Sequence, residues 1–83
     1  MSYSKEQRCR DCRIVFSSEE GERVLGWLID SNGILKANFS TDPYVHAFNE
    51  GRRNAVLDIL SMMNAEPKDF RDLARLAQEA PDE

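Results

Sequence analysis

Apolar side chains recur along this chain at helical spacing, most clearly between Asp42 and Asn64. At about 100° per residue, Val45, Phe48, Ala55, Val56, Ile59, Leu60 and Met63 fall on one face. Asp42 followed by Pro43 reads as an N-cap and a first-turn proline, where the missing N–H costs nothing. The pattern predicts a long helix from Pro43 to about Asn64. It also contains its own violation. Arg52 lies in the middle of the apolar face, flanked by Gly51 and Arg53. A charge in that place is either paired inside the fold or directed outward at a partner.

Three further helices are predicted. The first covers about Ser4 to Val15, with Cys9, Cys12 and Phe16 at helical spacing. Ser17 or Ser18 caps the second, and Glu19, Glu20 and Glu22 crowd its first turn, where the helix dipole favours anions. Ser17 and Glu20 have capping-box spacing. Val24, Leu25, Leu28 and Ile29 supply a buried stripe that ends near Asp30, before the turn signal Ser31-Asn32-Gly33. The loop from Ile34 to Thr41 is too apolar to be fully exposed, so Ile34, Leu35 and Phe39 are expected over one end of the core. Pro67 opens the last helix, with Phe70, Leu73, Ala74 and Ala77 on one face and Pro81 ending it ahead of a frayed tail at 81–83.

No sustained alternation of period two appears, so strands are not expected. The predicted fold class is all-α: one domain over residues 1–83, a small compact bundle of three to four helices with a long central helix. The second and third helices are expected to pair antiparallel, with the first and fourth packed around them. Glycine in an exposed helix costs about 1 kcal/mol relative to alanine. Gly51, and Gly21 near the centre of the second stripe, are therefore read as structural, letting those two helices cross closely, with Phe48 in the core.

A chain of 83 residues builds only a modest core. Burial against a protein partner, or as a homo-oligomer, is accordingly expected. No apolar run approaches the roughly 20 residues of a membrane span, and the basic N-terminal stretch lacks a signal-peptide core, so an intracellular protein with no membrane partner is expected. The net charge of −4 is uneven. Lys5, Arg8, Arg10 and Arg13 face only Glu6 and Asp11 in the first stretch, whereas acids dominate from Glu66 onward. An acidic chain is a poor binder of phosphate backbones, and the basic stripe is read as a solvated helix face in preference to a nucleic-acid site.

Candidate chemistry is sparse. Cys9-Arg10-Asp11-Cys12 is a C-x2-C, but a structural zinc site needs a second such half or a pair of histidines. His46 is the one histidine. The two thiols are read as small core residues, with a metal site shared between subunits, or a redox pair, as alternatives. Cys9, Cys12 and His46 are thus weak metal candidates, and no cofactor is expected. A Cys–His dyad would lack an orienting third group, so no catalytic residue is assigned and an enzyme is not expected. For Arg52 two readings stand. One is a buried guanidinium bonded to Glu22, Asp30 or the last carbonyls of the second helix. The other is an anchor in a partner interface, together with Arg53, Trp27 and Tyr44, large amphipathic side chains at or near stripe edges.

The runs FSSEEGERVLGWLID (Phe16 to Asp30) and DPYVHAFNEGRRNAVLDILSMM (Asp42 to Met63) resemble a family of small tailed-bacteriophage proteins first described in a Bordetella phage. The resemblance rests on Gly21, Val24, Leu25, Phe48, Glu50, Gly51 and Arg52, within a family-like core at 16–63. It implies a phage-encoded protein found among head-assembly genes such as those for portal and scaffold, present in the host cytoplasm during infection or in the virion. The expectation is a non-enzymatic accessory protein acting by protein–protein contact in head or virion assembly. The alternatives are a phage inhibitor of a host enzyme or defence complex and, behind it, a small nucleic-acid-binding protein.

Overall fold

The computed structural model describes residues 2–36 and 41–80. Phe39 and the tail at 81–83 lie outside them. The chain folds as an all-α bundle of four helices: α1 (Lys5–Phe16), α2 (Glu19–Ser31), α3 (Pro43–Met62) and α4 (Pro67–Gln78), with no strand among the described residues. Each begins where local chemistry dictates. The hydroxyl of Ser4 accepts from the Gln7 N–H, and the Asp42 carboxylate accepts from the N–H groups of Tyr44 and Val45. Pro43 and Pro67 occupy first turns, and the Glu66 N–H donates to Asp69 Oδ2 at 2.9 Å. The cap of α2 is Ser18, whose hydroxyl accepts from Gly21 N–H at 2.9 Å. The expected Ser17–Glu20 capping box therefore does not form.

Two helix ends share one motif. Gly33 has φ 69°, and the N–H of Ile34 donates to the carbonyl of Ile29 while that of Gly33 donates to Asp30. Asn64 has φ 56°, and the N–H groups of Ala65 and Asn64 donate to the carbonyls of Leu60 and Ser61. Both are Schellman ends, in which a left-handed residue turns the chain back and satisfies carbonyls that the helix leaves open. The first carries α2 one residue beyond the expected stop and drops Ile34 onto Ile29 in the core.

The core is Leu25, Ile29, Ile34, Val56, Leu60 and Ala74, with Phe16, Leu28, Leu57, Ile59, Met63, Phe70 and Leu73 packed against it. Its frame differs from the expected one: the helix that packs most closely against α2 is α4, not α3. The reason is Gly26. A Cβ placed there would sit 1.9 Å from the carbonyl oxygen of Leu73 and 3.2 Å from the Cβ of Ala77. Only a glycine lets the two backbones come this near. Gly21 is also buried, but against the end of α1, where its Cβ would lie 2.0 Å from the Val15 carbonyl.

Gly51 plays no such part. A Cβ there would meet nothing within 4 Å. Phe48 is likewise not core but 64% exposed. Between Pro43 and Ala55 no residue of α3 is buried; the half-buried line is His46, Asn49, Glu50 and Arg53, while Tyr44, Val45 and Phe48 face out. Only the later turns of α3 enter the core, through Val56 and Leu60. The Cα radius of gyration, 14.0 Å, exceeds the roughly 12 Å typical of this length for the same reason. Val24 and Leu35, expected in or over the core, are also exposed.

The two glycines give opposite expectations. Gly26→Ala should lower stability by roughly 1–3 kcal/mol through overpacking. Gly51→Ala, in dilute protein, should raise it by up to about 1 kcal/mol, because alanine is the better helix former. Thermal melts of the two variants check both, and equal effects would refute the α2–α4 crossing.

Candidate interaction surface

Arg52 and Arg53 connect α3 to the end of α2. Arg52 donates from Nε to Asn32 Oδ1 and from Nη2 to the Ser31 carbonyl, both at 3.0 Å. Arg53 donates from Nη2 to the Ile34 carbonyl at 3.3 Å. Three successive features of the α2 exit are thus gripped by two neighbouring guanidiniums. The logic is that of helix termini: the last carbonyls carry the negative end of the dipole and lack intrahelical donors. Asn32 is fixed in turn by its own Nδ2, which donates to the Leu28 carbonyl at 2.9 Å.

For Arg52 this arrangement bears out the bonding that the internal reading expects, but not the burial. Arg52 reaches a helix-end carbonyl, yet its side chain is exposed and bonds to the Asn32 amide oxygen and the Ser31 carbonyl in place of a carboxylate. Its guanidinium lies 5.8 Å from the centre of the Phe48 ring, within reach of a cation–π contact. Arg53 is half-buried and turned inward to Ile34. A cleft of about 200 Å³ follows the clamp, lined by Asp30, Ser31, Asn32, Gly33, Lys36, Asn49 and Arg52.

Outside this clamp several large apolar side chains are exposed. Trp27 is 60% exposed and Tyr44 86% exposed, and Val24 stands one turn from Trp27 on the same side of α2. At about 100° per residue that side is opposite Leu25 and Ile29, so it faces away from α4. Trp27 therefore lies outside the core packing, and Tyr44 and Phe48 are exposed on α3. Ile14 and Val15 of α1 and Leu76 of α4 are exposed as well. Sequence reading missed Val24 and Phe48 as surface residues. The apolar arc on α3 merges turns that reach the core with turns that do not, and it carries no signal that separates Phe48 from Leu60.

Cys9 and Cys12 are free, half-buried thiols one turn apart on α1, beside Phe16 on its inner side. His46 lies in the first turns of α3, and among the described residues no three histidine, cysteine or carboxylate side chains cluster as a metal ion requires. The N-terminal basic stripe is partly engaged locally: Arg8 donates to the Tyr3 carbonyl and lies 6.0 Å from the Tyr3 ring centre. The Tyr3 hydroxyl donates to Asp11, and that bond holds its pKa above the ordinary tyrosine value. No described helix is long and apolar enough to cross a membrane.

Because Arg52 is exposed, Arg52→Ala should cost on the order of 1 kcal/mol, far less than the loss of a buried ion pair. Asn32→Ala should be non-additive with it in a double-mutant cycle read by denaturant unfolding. Additive losses would mean that the two side chains do not share the bond.

A family model described as Bbp19-like phage protein matches residues 12–78. The match is wider than the stretch Phe16 to Met63 on which the resemblance rests, and it takes in all of α4. No curated protein and no solved structure gives a significant match. The matched span contains the Gly26 crossing, the arginine clamp and the exposed aromatics alike, and most of the chain with them: the chain belongs to the Bbp19-like family of phage proteins.

Proposed function

We propose that this chain is a non-enzymatic phage accessory protein that acts by protein–protein contact in virion assembly. The observation that carries the reading is the placement of its large amphipathic side chains. Trp27 is held outside on the side of α2 that faces away from the core, and Tyr44 and Phe48 are exposed on the first turns of α3, which do not enter it. Exposed aromatics of this kind are the side chains that dominate interface energetics, since they bring much contact area at little conformational cost. They stand on helices, and the arginine clamp sets the angle between the two helices that carry them. Membership of a phage family supports a partner from the phage particle.

Disruption of the gene in a phage that encodes this chain tests the assignment. Early phage expression and host takeover should proceed normally, while electron microscopy at lysis shows incomplete or malformed heads. Failure before late expression, with no heads assembled at all, would instead favour a host enzyme or defence complex as the target. At the level of residues, Trp27→Ser should change stability by no more than about 0.5 kcal/mol. The same variant should lose capture of purified portal or scaffold protein. A variant that melts normally and still binds would remove Trp27 from the contact.

A further inference from the structure

We infer that the bare side of α3 is a contact between two copies of this chain, paired antiparallel about a two-fold axis. The inference deepens the contact role proposed above: it names a second copy as the occupant of one exposed face and leaves the Trp27 side of α2 for another protein. Tyr44, Phe48, Gly51 and Ala55 follow one another at intervals of four, three and four residues, the spacing of a coiled-coil seam. All four are exposed. The same side of the helix continues through Asp58 and Met62, where Lys5 and Arg8 of α1 adjoin it. The chain's own α1 therefore takes up this face only from Asp58 onward.

The seam is graded, with two aromatic residues followed by two of the smallest. Turned about an axis between Asn49 and Glu50, Tyr44 comes opposite the partner subunit's Ala55. Phe48 comes opposite the partner subunit's Gly51. Each large side chain then meets a small one, which is the self-complementarity that an isologous interface requires. A parallel alignment would set ring on ring and leave the small residues facing each other. Antiparallel pairing also gives Gly51 a role. Within one chain it weakens the helix and admits no neighbour, since nothing lies within 4 Å of its Cβ position. Against a second copy, the missing side chain is the recess that receives a phenyl ring.

Charge permits the pairing. The seam from Tyr44 to Ala55 carries no ionised side chain, and Arg52 on its flank is held back by Ser31 and Asn32. The face offers on the order of 800–1,000 Å² of total buried area, below that of stable specific interfaces and in the range of weak, transient ones. A weak, concentration-dependent dimer follows from that area.

Sedimentation equilibrium of the full chain, from micromolar to millimolar protein, tests the inference. The mass should rise from the monomer value of 9.5 kDa toward twice that. Phe48→Asp should stay monomeric throughout with an unchanged helical spectrum. Gly51→Leu adds its Cβ into open space within one chain; it should melt no lower when dilute and weaken self-association about tenfold or more. With Cys9 and Cys12 replaced by serine, Tyr44→Cys chains mixed with Ala55→Cys chains should form a disulfide that neither forms alone. A wild-type chain that remains at 9.5 kDa at millimolar concentration overturns the inference. So does a Gly51→Leu variant that associates as well as wild type, or a Tyr44→Cys chain that cross-links to itself. Trp27→Ser should leave the dimer intact, so loss of self-association and loss of a phage partner are read on separate variants.

Discussion

The structure depends on one close approach, the backbone of Gly26 against the carbonyl of Leu73. With no Cβ between them, α2 and α4 pack face to face, and Leu25, Ile29 and Ala74 become the centre of the core. Everything else is positioned from that pair. The Schellman turn at Gly33 places Ile34 over the end of the core, and the turn at Asn64 brings α4 back from α3. The last turns of α3 then have one side to bury, and Val56 and Leu60 bury it. Its first turns have none.

That division of α3 links packing to function. A helix that enters the core only with its later turns needs another restraint to hold its direction, and the guanidiniums of Arg52 and Arg53 provide it at the α2 terminus. The bonds are modest in energy because Arg52 is exposed and the acceptors are neutral. Their value is geometric, since they fix where the aromatic side of α3 points. The ion pairs of Arg23 with Glu19, Lys68 with Glu66, and Arg75 with Asp72 and Glu79 lie on the surface within single helices or their caps and contribute little.

Much of this fold was legible in the sequence, and the exceptions have physical reasons. Ser18, Asp42, Pro43 and Pro67 announce helix starts through local chemistry, which needs no knowledge of the fold. The stripes of α2 and α4 are narrow enough to specify an inner face. Gly26 and Gly51 cannot be ranked from sequence, because each is a lone glycine in an apolar helix and only the neighbouring backbone tells them apart. The α3 arc misleads for a related reason. Projected along the whole helix, Phe48 and Leu60 merge into one broad face, whereas in the structure they belong to different turns with different surroundings. Arg52 was legible as an anomaly but not as a bond to Asn32 and Ser31, since a helix terminus acts as an acceptor only once it has been brought near. Stripe-edge positions fit interface residues and core-rim residues equally, so the exposure of Trp27 and Tyr44 was not legible from them.

The central claim is that the first half of α3 is a presented surface and not part of the core. Amide hydrogen exchange on the dilute chain addresses it directly. Amides of α2, α4 and the Val56–Leu60 turns should exchange near the rate set by global unfolding, and those from His46 to Gly51 should exchange markedly faster, through local opening. Equal protection along the whole of α3 would contradict the account, because it would show the first turns anchored as firmly as the core.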